Sequence, residues 1–497
     1  MSLLVKSDFV SLQSALETTL GVQATAGYRR HQPNGGGLSD FYAKLKRVSS
    51  EPLSIMLQRE KGAVVGLESA PKVTQDLNKE LLEAFWEGIF RSATKYPGGT
   101  GVGRFVPTSF TATAIGVPAG GALPQGAILW IRGTTLNNGL KVVGAGSTAG
   151  SIAITGGTIE TPPATAVVEV VGYQGASGDI GVNAAGNLTS AANAFAGLGL
   201  LPGWWVWVGG GTAAAPGALG FTVAAQNRGF ARITGVAAGV ITVDRKNQAW
   251  ATDPGTGKTI QLFFGPWVRN VFGDSADYKE PSYTLEIGYP GAAAAGATSY
   301  AYALGALVNT FEINAPSEDK ITAAVSFAAT DFTDPSTVRA TGAAAAPTPV
   351  QTALFTTASQ VRRLRVSNTD ETGISTDILD WKLTVNNNVK PQVQQGTLGA
   401  KRIITGRFDV SLDVTCIFTQ DDVCKAIRDN RTCAFDVAIA STDGAVLFDV
   451  PSLTLGDGGP DIAANEAVKL PASIEAFRDT TYNFSLGMTV FPYLPAS

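Results

Sequence analysis

One histidine, His31, serves a chain of 497 residues. Zinc sites built on two or three imidazoles therefore cannot form within a single copy. A Ser-His-Asp triad would have to use His31, which sits in Arg29-Arg30-His31-Gln32-Pro33-Asn34-Gly35-Gly36-Gly37. That run reads as a flexible loop, and a general base has to be held rigidly, so His31 is a poor catalyst candidate. Cysteine is nearly as scarce. Cys416, Cys424 and Cys433 are odd in number and spaced unlike C-x-x-C, which reads as inert thiols in a reducing compartment. Charge is sparse too, at 16% of residues against roughly 25% in an average soluble domain. The balance is 37 basic to 41 acidic residues, a net −4. This argues against a protein that grips nucleic acid by neutralising phosphates, since such proteins need a basic face. Gly, Pro, Asn and Thr break every apolar stretch before it reaches the roughly 18 residues of a membrane helix. Lys6 and Asp8 interrupt what would be the apolar part of a signal peptide. A soluble protein without a secretory leader is the expectation.

What the chain does have is 57 glycines and 25 prolines, and a length suited to roughly two to four domains. Composition divides it in three. Residues 1–95 carry ordinary charge and helical patterns, residues 96–281 are rich in Gly, Ala, Thr and Val, and residues 282–497 return to alternating strands. The ends are expected to form one discontinuous core domain (1–95 and 282–497), with inserted β modules at 96–180 and 181–281.

Near the start, Phe9, Leu12, Leu16 and Leu20 have a weakly helical spacing. Two strand-like runs follow, Leu53 to Leu57 and Ala63 to Leu67. The clearest helix runs from about Gln75 to Arg91, with Leu77, Leu81, Phe85 and Ile89 recurring at i+4 and Thr74 as N-cap. Such a helix covers one face of a sheet.

The middle block contains a duplication. Leu123-Pro124-Gln125-Gly126-Ala127-Ile128-Leu129-Trp130-Ile131 is echoed by Leu200-Leu201-Pro202-Gly203-Trp204-Trp205-Val206-Trp207-Val208. Each copy is followed by a glycine-rich turn and further short strands, which predicts two small barrels or sandwiches in tandem. From Ile180 to Asn227 no residue is charged, so part of that surface is expected to be buried against neighbours.

In the C-terminal part, Arg407 to Cys416 alternates cleanly. Phe408, Val410, Leu412, Val414 and Cys416 form one set, and Arg407, Asp409, Ser411, Asp413 and Thr415 the other. One face is packed and one meets water. Similar runs are Tyr283 to Ile287, Phe311 to Ile313, Ile321 to Phe327, Trp381 to Val385, Phe435 to Ile439 and Tyr482 to Val490. A short helix is expected after Thr419-Gln420-Asp421-Asp422, which has capping-box spacing.

No catalytic constellation emerges. Asp253-Pro254-Gly255-Thr256-Gly257-Lys258-Thr259 lacks the first glycine of a phosphate loop, Thr252 standing in its place, and runs into a strand-like segment; it reads as a hairpin turn. Asn187-Leu188-Thr189 is a glycosylation sequon without meaning in a chain that is not secreted. Carboxylates suffice for a glycosidase pair, and Trp204, Trp205 and Trp207 could stack on sugars. Sequence spacing says nothing about the separation such a pair needs, and alternating tryptophans on a strand read better as core.

Five stretches, taken in order, carry a resemblance. They are Ser14-Ala15-Leu16-Glu17-Thr18-Thr19-Leu20-Gly21-Val22; the strand pair and helix from Leu53 to Arg91; Tyr302-Ala303-Leu304-Gly305-Ala306-Leu307-Val308-Asn309-Thr310-Phe311-Glu312-Ile313; Ile321 to Phe327; and Gly456-Asp457-Gly458-Gly459 through Lys469-Leu470-Pro471-Ala472 to Phe477-Arg478-Asp479. In that order they resemble the major tail tube protein of long-tailed, siphovirus-type bacteriophages. The first is like that family's opening K-x-E-T-x-x-G segment, and the third is like its G-x-x-V-N strand.

The resemblance implies a mainly β fold. A β-sandwich with a flanking helix would assemble as stacked hexameric rings around one lumenal β-barrel, with the inserted modules carried outside. It implies a structural virion protein that is not an enzyme and needs no cofactor or metal, made in the host bacterial cytoplasm and placed in the virion tail. Its partners would be further copies of itself, a tape measure protein and viral double-stranded DNA held loosely in the lumen, and tail terminator and tail tip proteins. Arg407, Asp409, Ser411, Asp413 and Thr415 would line the bore, where acidic groups repel phosphate and let DNA pass. Arg29, Arg30, His31 and Asn34, in the glycine-rich loop, would reach a neighbouring ring. A β-rich adhesin or receptor-binding fibre and a carbohydrate-active enzyme are the competing readings.

Overall fold

The computed structural model describes residues 9–49, 61–99, 102–118, 120–210, 218–345, 354–374, 377–419, 421–441, 444–456, 458–462, 464 and 466–495. The fold is mainly β. A sixteen-stranded sheet built from both ends of the chain is accompanied by a ten-stranded sheet from the middle block and three small ones.

The strands and helices of the larger assembly used below are β1 (Ser11–Leu16), β2 (Arg29–His31), β3 (Lys72–Asp76) and α1 (Lys79–Phe90). They continue with β4 (Tyr283–Tyr289), β5 (Ser299–Ala315), β6 (Thr322–Ala328), β7 (Val361–Asn368) and β8 (Ile378–Asn386). Last come β9 (Asp409–Ile417), α2 (Asp422–Arg428), β10 (Thr432–Ser441), β11 (Gly444–Leu455), β12 (Lys469–Ala476) and β13 (Gly487–Phe491).

Two local expectations are corrected. The Phe9-to-Leu20 spacing does not make a helix, because β1 is hydrogen-bonded on both edges, to β2 and to β4. The α1 helix starts at Lys79, not near Gln75, because residues 72–76 are claimed by an antiparallel pairing with β6. Its N-cap is accordingly Asn78, whose Oδ1 accepts the Leu81 N–H at 2.8 Å. The stripe itself is as read: Leu77, Leu81, Phe85 and Ile89 are fully buried. At the second helix, Asp421 is the N-cap and makes no side-chain capping bond; its carboxylate pairs instead with Lys425 at 2.6 Å. The Leu53-to-Leu57 run lies outside the described residues.

β5 is seventeen residues long and serves two neighbourhoods. Its first half pairs with β4, its second half with β6 on one side and β8 on the other. The change of direction falls at Gly305, whose φ is +61° and where a Cβ would stand 2.3 Å from Thr330 Oγ1, so only glycine fits. Glu17 braces the bend. Its carboxylate accepts from the Gly305 N–H (2.8 Å), Ser282 Oγ (2.7 Å), Thr284 Oγ1 (2.9 Å) and the Gly21 N–H (2.9 Å). The E-T-x-x-G stretch thus has a structural meaning, with Glu17 tying the first strand's exit to the kink in the longest strand. Glu17→Ala removes four charge-assisted bonds and is expected to cost about 2–3 kcal/mol, read as a lower midpoint in urea unfolding.

β3, β6, the second half of β5, β8, β9 and β12 lie side by side in that order. The sheet then turns through the end of β11, which pairs with β12, into a second layer of β7, β10, β11 and β13. The layers pack face to face, with Trp381 of β8 against Phe435 of β10 at 6.0 Å between ring centroids. One apolar cluster runs through both layers and α1, from Leu81 and Phe85 through Leu412 and Val414 to Val437 and Phe448.

In the middle block, the two echoed segments form strands Ala127–Arg132 and Trp205–Val208. They do not close separate barrels. Between them, in the same sheet, lie Val167–Gln174 and Gln261–Phe263, so the sheet and one apolar cluster are continuous across the 180/181 boundary. By Trp267–Arg269 the chain is back in the larger sheet, paired with β13, well before the composition changes at 282. Within the uncharged stretch Trp204, Trp205, Phe195 and Phe221 are fully buried, whereas Leu201 and Val223 are exposed.

Candidate functional site

The most extended polar feature of the larger sheet is the outer face of its first layer. Antiparallel register sets its side chains in rows across the strands. One row runs Ser473, Asp413, Lys382, Asn314, Thr322, Asp76. The next runs Glu475, Ser411, Thr384, Glu312, Ala324, Thr74, and a third runs Asp409, Asn386, Thr310, Ser326, Lys72. Beneath each row the intervening residues are buried: Val410, Leu412 and Val414 of β9, Leu383 and Val385 of β8, Leu470 and Ile474 of β12. Apart from Ala324, the wall is therefore polar on one side and sealed on the other, the arrangement that the 407–416 alternation predicts.

All five sequence-designated residues lie at this wall. Ser411 and Asp413 are exposed, while Asp409 and Thr415 are half-buried. Arg407 stands just outside the strand, 86% exposed, and pairs with Asp409. Asp409 also accepts from Asn388 Nδ2 at 2.8 Å, and Asp413 from Ser473 Oγ at 2.9 Å. Lys382 faces Glu312 at 3.7 Å. Across the three rows Asp76, Glu312, Asp409, Asp413 and Glu475 outnumber Lys72 and Lys382, so the wall carries a negative excess.

The flexible-loop reading around His31 is corrected. Arg29, Arg30 and His31 form β2, in register with Ser14, Gln13 and Leu12. Asn34 is tied down by donating to Asp76 Oδ1 at 2.9 Å. The His31 ring stacks on Phe85 at 5.2 Å, and its Nε2 lies 2.7 Å from Ser14 Oγ. Burial, with help from the Arg29 charge, lowers its pKa from 6.5 to about 4. The sign follows directly. Below pH 6.5 the unfolded chain takes up a proton that the folded chain refuses until about pH 4, so stability falls across that window. A His31→Gln chain should lose this part of the pH dependence, measured as thermal midpoints at successive pH values; an unchanged profile would remove His31 as its source.

Behind the second layer, sequence reasoning missed a buried ionic cluster. Asp436 of β10 and Asp449 of β11 are direct cross-strand neighbours, both almost completely buried. Asp436 is held by Arg245 at 2.6 Å and by Arg363. Asp449 accepts from Trp205 Nε1 at 3.0 Å and from Arg232 at 3.3 Å, and Arg232 also pairs with Asp244 at 2.7 Å. Burial pushes the Asp436 carboxyl up, but Arg245 and Arg363 more than reverse this and hold it at about 2. At Asp449 burial prevails over Arg232, and its pKa is raised. Arg232 and Arg245 come from the middle block, so this cluster is where the block is joined to the second layer. Around it Trp205 and Phe230 pack on Ala438, Ala445, Leu447 and Phe491. A second ionic joint connects the block to α1: Arg104 reaches Glu83 (3.4 Å) and Glu169 (3.1 Å), and Arg132 reaches Glu169 (2.9 Å).

The remaining motifs are structural. Asp253 accepts the N–H groups of Ala224 and Gly255, each at 2.9 Å, and shapes the turn read at 253–259. Trp204 and Trp205 are core. Burial raises the Cys416 and Cys433 thiols to about 11, which keeps them protonated. Among the described residues no group of three potential metal ligands gathers, and no helix is long and apolar enough to cross a membrane.

A core sealed between two layers, with one broad polar wall outside it, defines a two-layer β-sandwich. The family model for phage tail tube proteins matches residues 10–484, and the chain belongs to that family. It is a structural component of the bacteriophage tail, in a family that is not one of enzymes. No curated protein matches the chain.

Proposed function

We propose that this protein polymerises as stacked hexameric rings into a siphovirus-type tail tube, with the polar wall around β9 facing the bore. Six sheets joined into one barrel leave no open edge around the lumen, and head-to-tail stacking is a heterologous contact that propagates a filament. The observation that carries this reading is the continuous polar face of β3, β6, β5, β8, β9 and β12 over a dry core. Arg407, Asp409, Ser411, Asp413 and Thr415 line the lumen in this arrangement. Their acidic excess repels phosphate, so a tape measure protein and then double-stranded DNA pass without tight binding.

The middle block is an insertion in this reading, and its attachment to the opposite layer supports a place on the outside of the tube. Terminator and tip proteins would meet the two tube ends, and the protein would be made in the host cytoplasm before incorporation. Cryo-electron microscopy of the purified chain tests the whole. The expected map shows rings of six with Asp409 and Asp413 facing the axis. Discrete monomers or trimers would support the adhesin reading instead, and a bore lined by any other face would overturn the assignment of the wall.

A further inference from the structure

Between the middle block and β7, the edge strand of the second layer, lies a cleft of about 530 Å³. The block contributes the turn at Lys246, directly after its strand Val240–Asp244. The second layer contributes Arg365 and Ser367 of β7, and Glu371 beyond it. Behind Ser367 stands Arg245 of the ionic cluster, its side chain 1% exposed. Its Nε and Nη2 hold Asp436 Oδ2 at 2.7 and 2.6 Å, and Nη2 also donates to Ser367 Oγ at 3.0 Å. Nη1 is buried and has no hydrogen-bond partner. A guanidinium is planar, and its N–H groups point in fixed directions. With the Nε–Nη2 edge on Asp436, the unpartnered Nη1 N–H runs beside the bond to Ser367, a residue of the cleft wall. An unmatched donor on a buried cation is costly, and an acceptor placed beside Ser367 would relieve it.

The cleft is electropositive. Lys246 donates to the Gly186 carbonyl at 3.3 Å and lies 5.8 Å from the Trp250 ring centroid, and no described carboxylate pairs with it. Arg365 bridges the two sides, donating to the carbonyls of Lys246 at 3.2 Å and Glu371 at 3.3 Å. Glu371 is the acid of the wall. Its Oε1 accepts the Arg245 backbone N–H at 2.5 Å, and its Oε2 stands 3.8 Å from Arg365. Four cations, Arg245, Lys246, Arg363 and Arg365, thus face two carboxylates, Glu371 and Asp436. Adding Arg232 with Asp244 and Asp449 still leaves the balance positive. Burial, together with the charges of Arg363 and Arg245, lowers the Arg365 pKa, the mark of a site short of negative charge.

We infer that this cleft binds the phosphate group of a small phosphate-bearing molecule, with Lys246 and Arg365 on its oxygens and Arg245 supporting it from behind Ser367. A tetrahedral group with several acceptor oxygens suits cationic donors that converge from two walls. The volume falls within the range of small-molecule pockets, roughly 300–1,000 Å³, so an organic body has room beside the phosphate. None of the lining residues is aromatic, so nothing there stacks on a nucleobase. Lys246 belongs to the block and Arg365 to β7, so the ligand would clamp one onto the other. All of these groups come from one chain, and binding does not require ring formation.

Isothermal titration calorimetry on the full chain, in a buffer free of phosphate and sulfate, tests this with inorganic phosphate, glycerol phosphate and glycerol as probes. The expected result is saturable binding of a phosphate probe and none of glycerol, with a higher thermal midpoint when the site is filled. Lys246→Gln and, separately, Arg365→Gln should each weaken binding by about tenfold or more, the loss of one charge-assisted bond. Thermal midpoints in the phosphate-free buffer show that each variant folds. Tighter binding of glycerol phosphate than of inorganic phosphate assigns the site to phosphate esters, and equal or weaker binding assigns it to the free ion; either supports a phosphate site. No saturable binding of either phosphate probe, or binding that the folded variants retain in full, would overturn the inference.

Discussion

Alanine at Asp436 is expected to destabilise the fold by about 3–5 kcal/mol. Arg245 and Arg363 would be left with buried guanidinium groups facing each other, since both sit within 5% of full burial and share that one carboxylate. Removing one member of a desolvated ion set strands the charge of the others, which costs far more than an exposed pair is worth. Equilibrium unfolding in denaturant reads the effect, and a change under 1 kcal/mol would show that water reaches the cluster. Asp436→Asn keeps the shape and part of the hydrogen bonding but removes the charge, so it should fall between wild type and alanine.

Excision of the middle block, joining the chain across 104–263, should have a larger effect: the remainder is expected not to fold to a soluble, cooperative state. The cut removes Arg232 and Arg245 together, leaving Asp449 without a cation and Asp436 with Arg363 alone. It also uncovers Ala438, Ala445, Leu447 and Phe491, now packed under Trp205 and Phe230. An exposed apolar sheet face with acids set into it is a route to aggregation. Composition alone suggests a removable ornament, but the joint says otherwise. Solubility and circular dichroism of the excised chain decide the matter, and a soluble product with a sharp thermal transition would show that the second layer does not depend on the block.

The parts of the fold that sequence made legible are those where one rule acts alone. In 407–416 a period of two survives because the face above is wet and the face below is sealed. The stripe of α1 is equally plain, yet the helix starts at Lys79 rather than near Gln75, because the residues just before Leu77 pair in a strand. At β1, Leu12 and Leu16 imitate a helical repeat, while Gln13 and Ser14, which look solvated, are buried beside His31 and β4. Tertiary pairing overrode a weak local pattern there.

The ionic joint was half visible. An aspartate inside Ala434-Phe435-Asp436-Val437-Ala438, and another inside Phe448-Asp449-Val450, demand buried partners. Nothing local names them, because Arg245 lies 191 residues from Asp436. Likewise the duplication at 123–131 and 200–208 was readable, but not that its two copies flank a shared pair of strands in one sheet. Such facts depend on which distant edges meet.

The way the block is fastened has a mechanical consequence. A module hung on two flexible connectors would swivel and absorb whatever pulls on it. Here, ion pairs and tryptophans seat it on the second layer and on α1, and Tyr493 and Leu494 lie across it beside Trp130 and Phe263. A load on its far surface would pass straight through β10 and β11 to the first layer, making the ornament part of the girder.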